Sequence, residues 1–145
     1  MRFDAINTGP PLTSKTLVAY RAEHGLDFPE SLVDQLIDQN GGAPRADVRV
    51  RVGNREEEVF SFFGVNMPDL ATELSWNAAA FRRRVPSGTL PIGNDPAGNL
   101  FLIASVLARD GQVWFWDHER EGHADAATLV APSLAEFLAL LDGVE

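Results

Sequence analysis

The densest apolar run in the chain, Leu100 to Leu107, is followed after a short polar break by Val113-Trp114-Phe115-Trp116-Asp117-His118-Glu119. The Asp110-Gly111 pair between them is a sequence suited to a two-residue β-hairpin turn. If those two residues are central in a type I′ turn, Leu107 faces Trp114, Val106 faces Phe115 and Ser105 faces Trp116. Leu102, Ala104, Val106, Val113 and Phe115 then share one face, and Phe101, Ile103, Ser105, Trp114 and Trp116 the other. Both faces are apolar, so the pair must be covered on both sides or offer one side as a binding surface. Burying such side chains at roughly 1.5–3 kcal/mol each makes this hairpin the expected thermodynamic centre of the domain. The preceding stretch, Leu90 to Asn99, is rich in turn formers and reads as the loop that feeds it.

The remaining elements follow from their periodicity. Met1 to Pro11 shows none and ends in Gly9-Pro10-Pro11, which predicts an extended arm over residues 1–12 and a single domain over 13–145. A first helix starts at Thr13 or Ser14 as N-cap, carries Leu17, Val18 and Arg21, and stops at Gly25. Leu26 and Phe28 anchor the turn that follows. Pro29 suits the first position of a second helix, whose stripe is Leu32, Val33, Leu36 and Ile37 and whose end is Asn40-Gly41-Gly42. Asp47 to Val52 alternates charged and apolar residues, Gly53-Asn54 turns the chain, and Glu57 to Phe63 supplies a second strand. From about Asp69, Leu70, Leu74, Ala78 and Phe81 lie on one face of a third helix, closed by Arg82-Arg83-Arg84 and Val85-Pro86. Thr128-Leu129-Val130 is a short strand. Ser133 and Glu136 form a capping-box pattern ahead of the stripe Leu134, Phe137, Leu138 and Leu141. The order ααββαβββα predicts an α+β fold: a mainly antiparallel sheet of about five to six strands packed with four helices.

Composition narrows the function more than the fold. The 145 residues include no cysteine, which excludes disulfides, zinc-thiolate sites and cysteine catalysis. The start of the chain lacks the apolar stretch of a secretory signal and no run is long enough to span a membrane, so a cytoplasmic location is expected. A formal net charge of −9 argues against direct nucleic-acid binding and would steer a basic protein partner toward the chain. The same charge also serves solubility alone.

Neither a glycine-rich phosphate loop nor a nucleophile-elbow motif is present, and no enzymatic activity is expected. The richest polar cluster is Asn94, Asp95 and Asn99 in the loop with Asp117, His118 and Glu119 at the end of the hairpin, which antiparallel pairing would bring to one edge of the sheet. Such oxygens, with nitrogens from His118 and His123, are the donor types that hold a hard cation, but the spacing fits no metal motif, and turn and cap roles account for the same residues. No metal or cofactor is therefore assigned. Gly93 and Gly98 are expected to adopt backbone angles that no residue with a β-carbon permits. Trp114 and Trp116 suit either the core or a partner-facing surface. Glu56-Glu57-Glu58 reads as a solvated strand edge that discourages edge pairing.

The ordered set Phe28-Pro29-Glu30, Asn40-Gly41-Gly42, Leu90-Pro91-Ile92-Gly93-Asn94-Asp95, Gly98-Asn99, Val113 to Glu119 and a closing serine-capped Phe/Leu helix resembles the SUKH superfamily, the Smi/Knr type. The similarity runs from about Thr13 to Leu141, and the order of the motifs carries it. In this family the loop usually has a second glycine before Gly98-Asn99; here Pro96-Ala97 fills that space and reshapes the loop surface. The resemblance implies an α+β fold and no enzymatic activity. For bacterial members it implies an immunity protein that neutralises a polymorphic toxin in interbacterial competition, a toxin–antitoxin-like pair. Fungal members are scaffolds in cell-wall and stress signalling. Asn40, Gly41, Gly42, Gly93, Asn94 and Gly98 are the structural motif residues; partner contacts diverge within the family and do not transfer by motif.

Two readings of different class follow. In the first, an acidic surface of Glu56, Glu57, Glu58, Asp95, Asn99, Trp116, Asp117 and Glu119 meets a basic toxin domain and occludes it stoichiometrically, the chain being a monomer or homodimer. In the second, the same fold is an intracellular ligand- or metal-binding or scaffold module, with Asp95, Asn99, Asp117 and His118 as the ligand cluster.

Overall fold

The computed structural model describes residues 3–105 and 111–142. Its centre is a five-stranded antiparallel sheet in the order β5-β6-β7-β8-β9: β5 Ser61–Phe62, β6 Thr89–Asn94, β7 Leu100–Ala104, β8 Val113–Trp116 and β9 Ala127–Ala131. Two small sheets flank it, β1 Ala5–Ile6 with β2 Ala43–Pro44, and β3 Arg49–Val52 with β4 Arg55–Glu58. Four helices complete the α+β fold: α1 Ser14–His24, α2 Glu30–Asp38, α3 Leu74–Phe81 and α4 Leu134–Asp142.

Strands β7 and β8 pair at the heart of the sheet and are almost wholly buried, but not in the expected register. Leu100 faces Trp116, Phe101 faces Phe115, and Leu102, rather than Leu107, faces Trp114. The offset is odd, and because side chains alternate along a strand, it exchanges the two faces. Phe101 therefore sits beside Phe115, ring centroids 5.4 Å apart, instead of sharing a face with the tryptophans. The ladder closes early: the Ala104 N–H donates to the Gln112 carbonyl and the Ala104 carbonyl accepts from the Gly111 N–H. Ser105 turns away, donating from both N–H and Oγ to the Gly88 carbonyl. The proposed Asp110-Gly111 turn and the Val106 and Leu107 pairings fall on or beside residues 106–110, outside the described residues.

Both faces of this pair are covered, as their apolarity demands. Phe137 of α4 lies 5.5 Å from Phe101 and 6.1 Å from Phe62 on one side, while Phe81 of α3 meets Trp116 at 6.1 Å on the other. Helix α2 joins α4 through Leu32, Leu36, Leu134 and Leu138, which surround one small void.

Local chemistry explains the ends of the helices. Thr13 caps α1, accepting from the Thr16 N–H at 3.2 Å, and Gly25 closes it. Val18, read as part of its apolar stripe, points to solvent, and Leu17 and Tyr20 form the buried face instead. Ser133 Oγ accepts from the Glu136 N–H at 3.1 Å, and Leu134, Phe137, Leu138 and Leu141 are all buried.

Three boundaries differ from the pattern-based reading. Leu90 to Asn94 is a strand, not a loop; Pro91 is tolerated because β6 bulges between Pro91 and Gly93, and β5 reaches only Gly93 and Asn94. The third helix begins at Leu74, not near Asp69. Asp69 caps a separate 3-10 turn, Leu70–Thr72, and the buried Glu73 carboxylate accepts from the Asn66 and Met67 N–H groups, so the chain bends before the helix starts. Glu57 to Phe63 is two strands, β4 and β5, in different sheets.

Candidate functional site

The site grows from β5, a strand of two residues held by backbone on both sides. Gly42 exchanges hydrogen bonds with Phe62, its N–H donating at 3.1 Å and its carbonyl accepting at 2.8 Å. Gly41 and Gly42 have φ of 65° and 110°, which glycine adopts without strain, and a Cβ on Gly41 would stand 3.0 Å from the Phe62 carbonyl oxygen. From the other side, Gly93 does not take the expected left-handed angles and is required instead by close approach, since a Cβ there would come within 2.6 Å of the Ser61 carbonyl oxygen. The two glycine motifs, far apart in sequence, thus grip one strand.

Asn40 and Asn94 complete the grip. The Asn40 side chain is buried; its Nδ2 donates to the Pro10 and Val65 carbonyls and its Oδ1 accepts from the Val65 N–H, each within 2.9 Å. Asn40 thereby ties the N-terminal stretch to the loop after β5. Ser61 Oγ donates to Asn94 Oδ1 at 2.6 Å.

Beside β5 opens a cleft of about 640 Å³. Its floor is Gly42, Ala43 and Ser61–Phe62, one wall is Asn7–Thr8, and the other is formed by Met67, Pro68, Asp69, Ala71 and Thr72. Asn94 closes one end, and Phe60 stands at the mouth with 53% of its surface exposed. Leu70, in the same wall segment, is 58% exposed. Of these residues, Gly42 and Asn94 are motif positions and Asp69 and Leu70 were placed in the third helix, but the sequence pattern does not bring them together as a cleft. The available signal was the adjacent pair Val59-Phe60, which breaks strict alternation at the point where the chain changes sheets.

The polar cluster forms as expected, but its bonds point inward. Asp95 is 4% exposed; its Oδ1 accepts from the Ala97 and Asn99 N–H groups at 2.9 and 2.8 Å, and its Oδ2 from Asn99 Nδ2 at 2.9 Å. Asn99 Oδ1 accepts from the His118 N–H at 3.0 Å and lies 2.6 Å from His118 Nδ1. Since Asn99 Nδ2 is committed to Asp95, Oδ1 can only accept, and Nδ1 must carry the imidazole proton. Gly98 packs against that ring. A carboxylate ringed by three donors is suited to holding a loop and opposes a cation. Among the described residues, no group of three or more His, Cys, Asp or Glu side chains is placed to hold a metal ion.

The expected acidic surface is corrected in several places. Trp116 is 1% exposed, packed under Phe81 and beneath the Arg84 guanidinium, so it belongs to the core. Asp95 is internal, for the reasons above, and Asn99 is half-buried between it and His118. Glu57 and Glu58 pair with Arg55 at 3.3 Å and Arg49 at 3.8 Å, and Glu56 stands opposite Arg51 in the β3–β4 register. That hairpin therefore presents both signs. Asp117 Oδ1 caps the short turn over His118–Arg120 by accepting from the Glu119 N–H, leaving Glu119 exposed.

A sheet gripped by two glycine motifs, with helices on both faces and a closing capped helix, defines an α+β domain of one recurring type. The family model described as the SMI1 / KNR4 family (SUKH-1) matches residues 11–140, and the chain belongs to that family. No curated protein and no solved structure gives a significant match. No helix among the described residues is long and apolar enough to cross a membrane.

Proposed function

We propose that this chain is an immunity protein, which binds a secreted bacterial toxin in the cytoplasm and neutralises it by occupying its surface one-to-one, without chemistry of its own. The observation that carries the reading is the family match over residues 11–140. The net charge of −9 supports it, because a toxin that must attract nucleic acid is basic and would be drawn to such a chain.

The test is co-expression with the toxin domain encoded by the neighbouring upstream gene. Growth should be rescued, and titration of the purified pair should give a one-to-one complex with a nanomolar Kd that weakens as salt rises. Failure to rescue growth, with no complex formed, refutes the reading. The N–H donors that engage the Asp95 oxygens weigh against the ligand- or metal-binding alternative at that residue.

A further inference from the structure

We infer that the cleft beside β5 is the surface that receives the partner, and that it takes an apolar side chain from a basic segment of that protein. The inference rests on the immunity reading and adds to it the place of contact.

Four observations converge on the cleft. It is a large concavity, about 640 Å³, and its lining is mainly apolar, with Phe60, Met67, Pro68 and Ala71 among the residues that form it. Phe60 is more than half exposed although it lies next to buried Val59 and Ser61. Water contact with so much aromatic surface costs free energy that a docked side chain would recover, and an aromatic side chain that becomes covered at the centre of a contact is a typical binding anchor. Among the described residues, the one charged side chain lining the cleft is Asp69. Asp69 keeps its position through the bond from the Ala71 N–H to Oδ1, which leaves its negative charge in place at the wall. An apolar group flanked by lysine or arginine therefore complements both the lining and the charge, and the chain's net −9 attracts such a segment from a distance.

Two other surfaces fit a basic partner less well. The β3–β4 hairpin interleaves arginines with its glutamates. The outer face of α3 exposes Trp76, 45% accessible, but continues into Arg82 and Arg83, which repel a cationic segment.

The experiment measures binding of the inactivated toxin domain from the neighbouring upstream gene to the full chain and to three variants. Phe60→Ser should weaken binding about thirty-fold, the loss expected of a central anchor. The thermal unfolding temperature should fall only slightly, because about half of the residue is already in solvent. Asp69→Asn keeps an oxygen to accept from Ala71 and removes the charge, so association should slow about threefold and the salt dependence should flatten. Trp76→Ser should bind within about twofold of the parent chain. If the parent chain binds while Phe60→Ser binds equally well, or if Trp76→Ser alone fails, the cleft assignment is overturned and the immunity reading stands. If the parent chain does not bind, the immunity reading fails and the inference falls with it. A dimer of this chain alone that Phe60→Ser dissolves would assign the cleft to a second copy and likewise overturn the inference.

Discussion

Tyr20 shows how one buried polar contact ties distant segments together. Its hydroxyl donates to Glu73 Oε2 at 2.5 Å and accepts from the Ser75 N–H at 2.9 Å, joining α1 to the start of α3. Burial, reinforced by the Glu73 carboxylate, pushes the Tyr20 hydroxyl well above the ordinary tyrosine range. The unfolded chain therefore loses this proton first, and the linked stability, complete below about pH 10, should decline as pH rises beyond it. Tyr20→Phe should flatten that alkaline decline and cost about 1–2 kcal/mol at neutral pH, measured by urea unfolding across a pH series. Asn40→Ala should cost more, about 2–3 kcal/mol by the same measurement, because it leaves the Val65 N–H without its buried acceptor and frees two carbonyls. Sequence pattern reached Asn40 as part of a turn motif but assigned it to helix termination. Nothing local announces that a side chain will bond to residues thirty positions before and twenty-five after it.

At the scale of elements, the pattern-based reading succeeded where one face alone had to be buried. The stripe of α4, the Thr13 cap and Gly25 stop of α1, and the alternation of β3 were legible because each is decided within a few residues. It failed where tertiary contacts override local preference. Leu90-Pro91-Ile92-Gly93 carries turn formers yet forms β6, since Gly93 is needed for close approach to Ser61 and Pro91 lies next to a bulge. A two-residue Asp110-Gly111 turn predicts a β7–β8 register that the structure does not have, because Ala104 closes the ladder against Gly111 and Gln112. Gly93→Ala tests the β5 clamp directly. Its new methyl would meet the Ser61 carbonyl at 2.6 Å, so the variant should lose about 1–3 kcal/mol. Hydrogen exchange should show faster opening at Phe62 and Phe63 than in α4.

For the whole molecule, the charge total was readable from composition, but its distribution was not. Three successive glutamates, Glu56 to Glu58, look like an acidic patch in the sequence and become half of a mixed-sign hairpin once β3 is laid beside them. Exposed pairs of that kind contribute little, so Glu58→Gln should change stability by no more than about 0.5 kcal/mol in thermal unfolding. The cleft was illegible for the related reason that its lining comes from five separate stretches of chain, and although Gly42 and Asn94 stand in recognisable motifs, nothing local shows that these stretches meet. The grip on β5 bears on how that cleft behaves when occupied. Its floor is fastened by the main-chain bonds between Gly42 and Phe62 and by the bond from Ser61 Oγ to Asn94 Oδ1. An incoming group therefore meets a mould already set, with little ordering entropy to lose. The heat-capacity change of complex formation should then follow from the apolar area covered alone, with no contribution from coupled folding on this side.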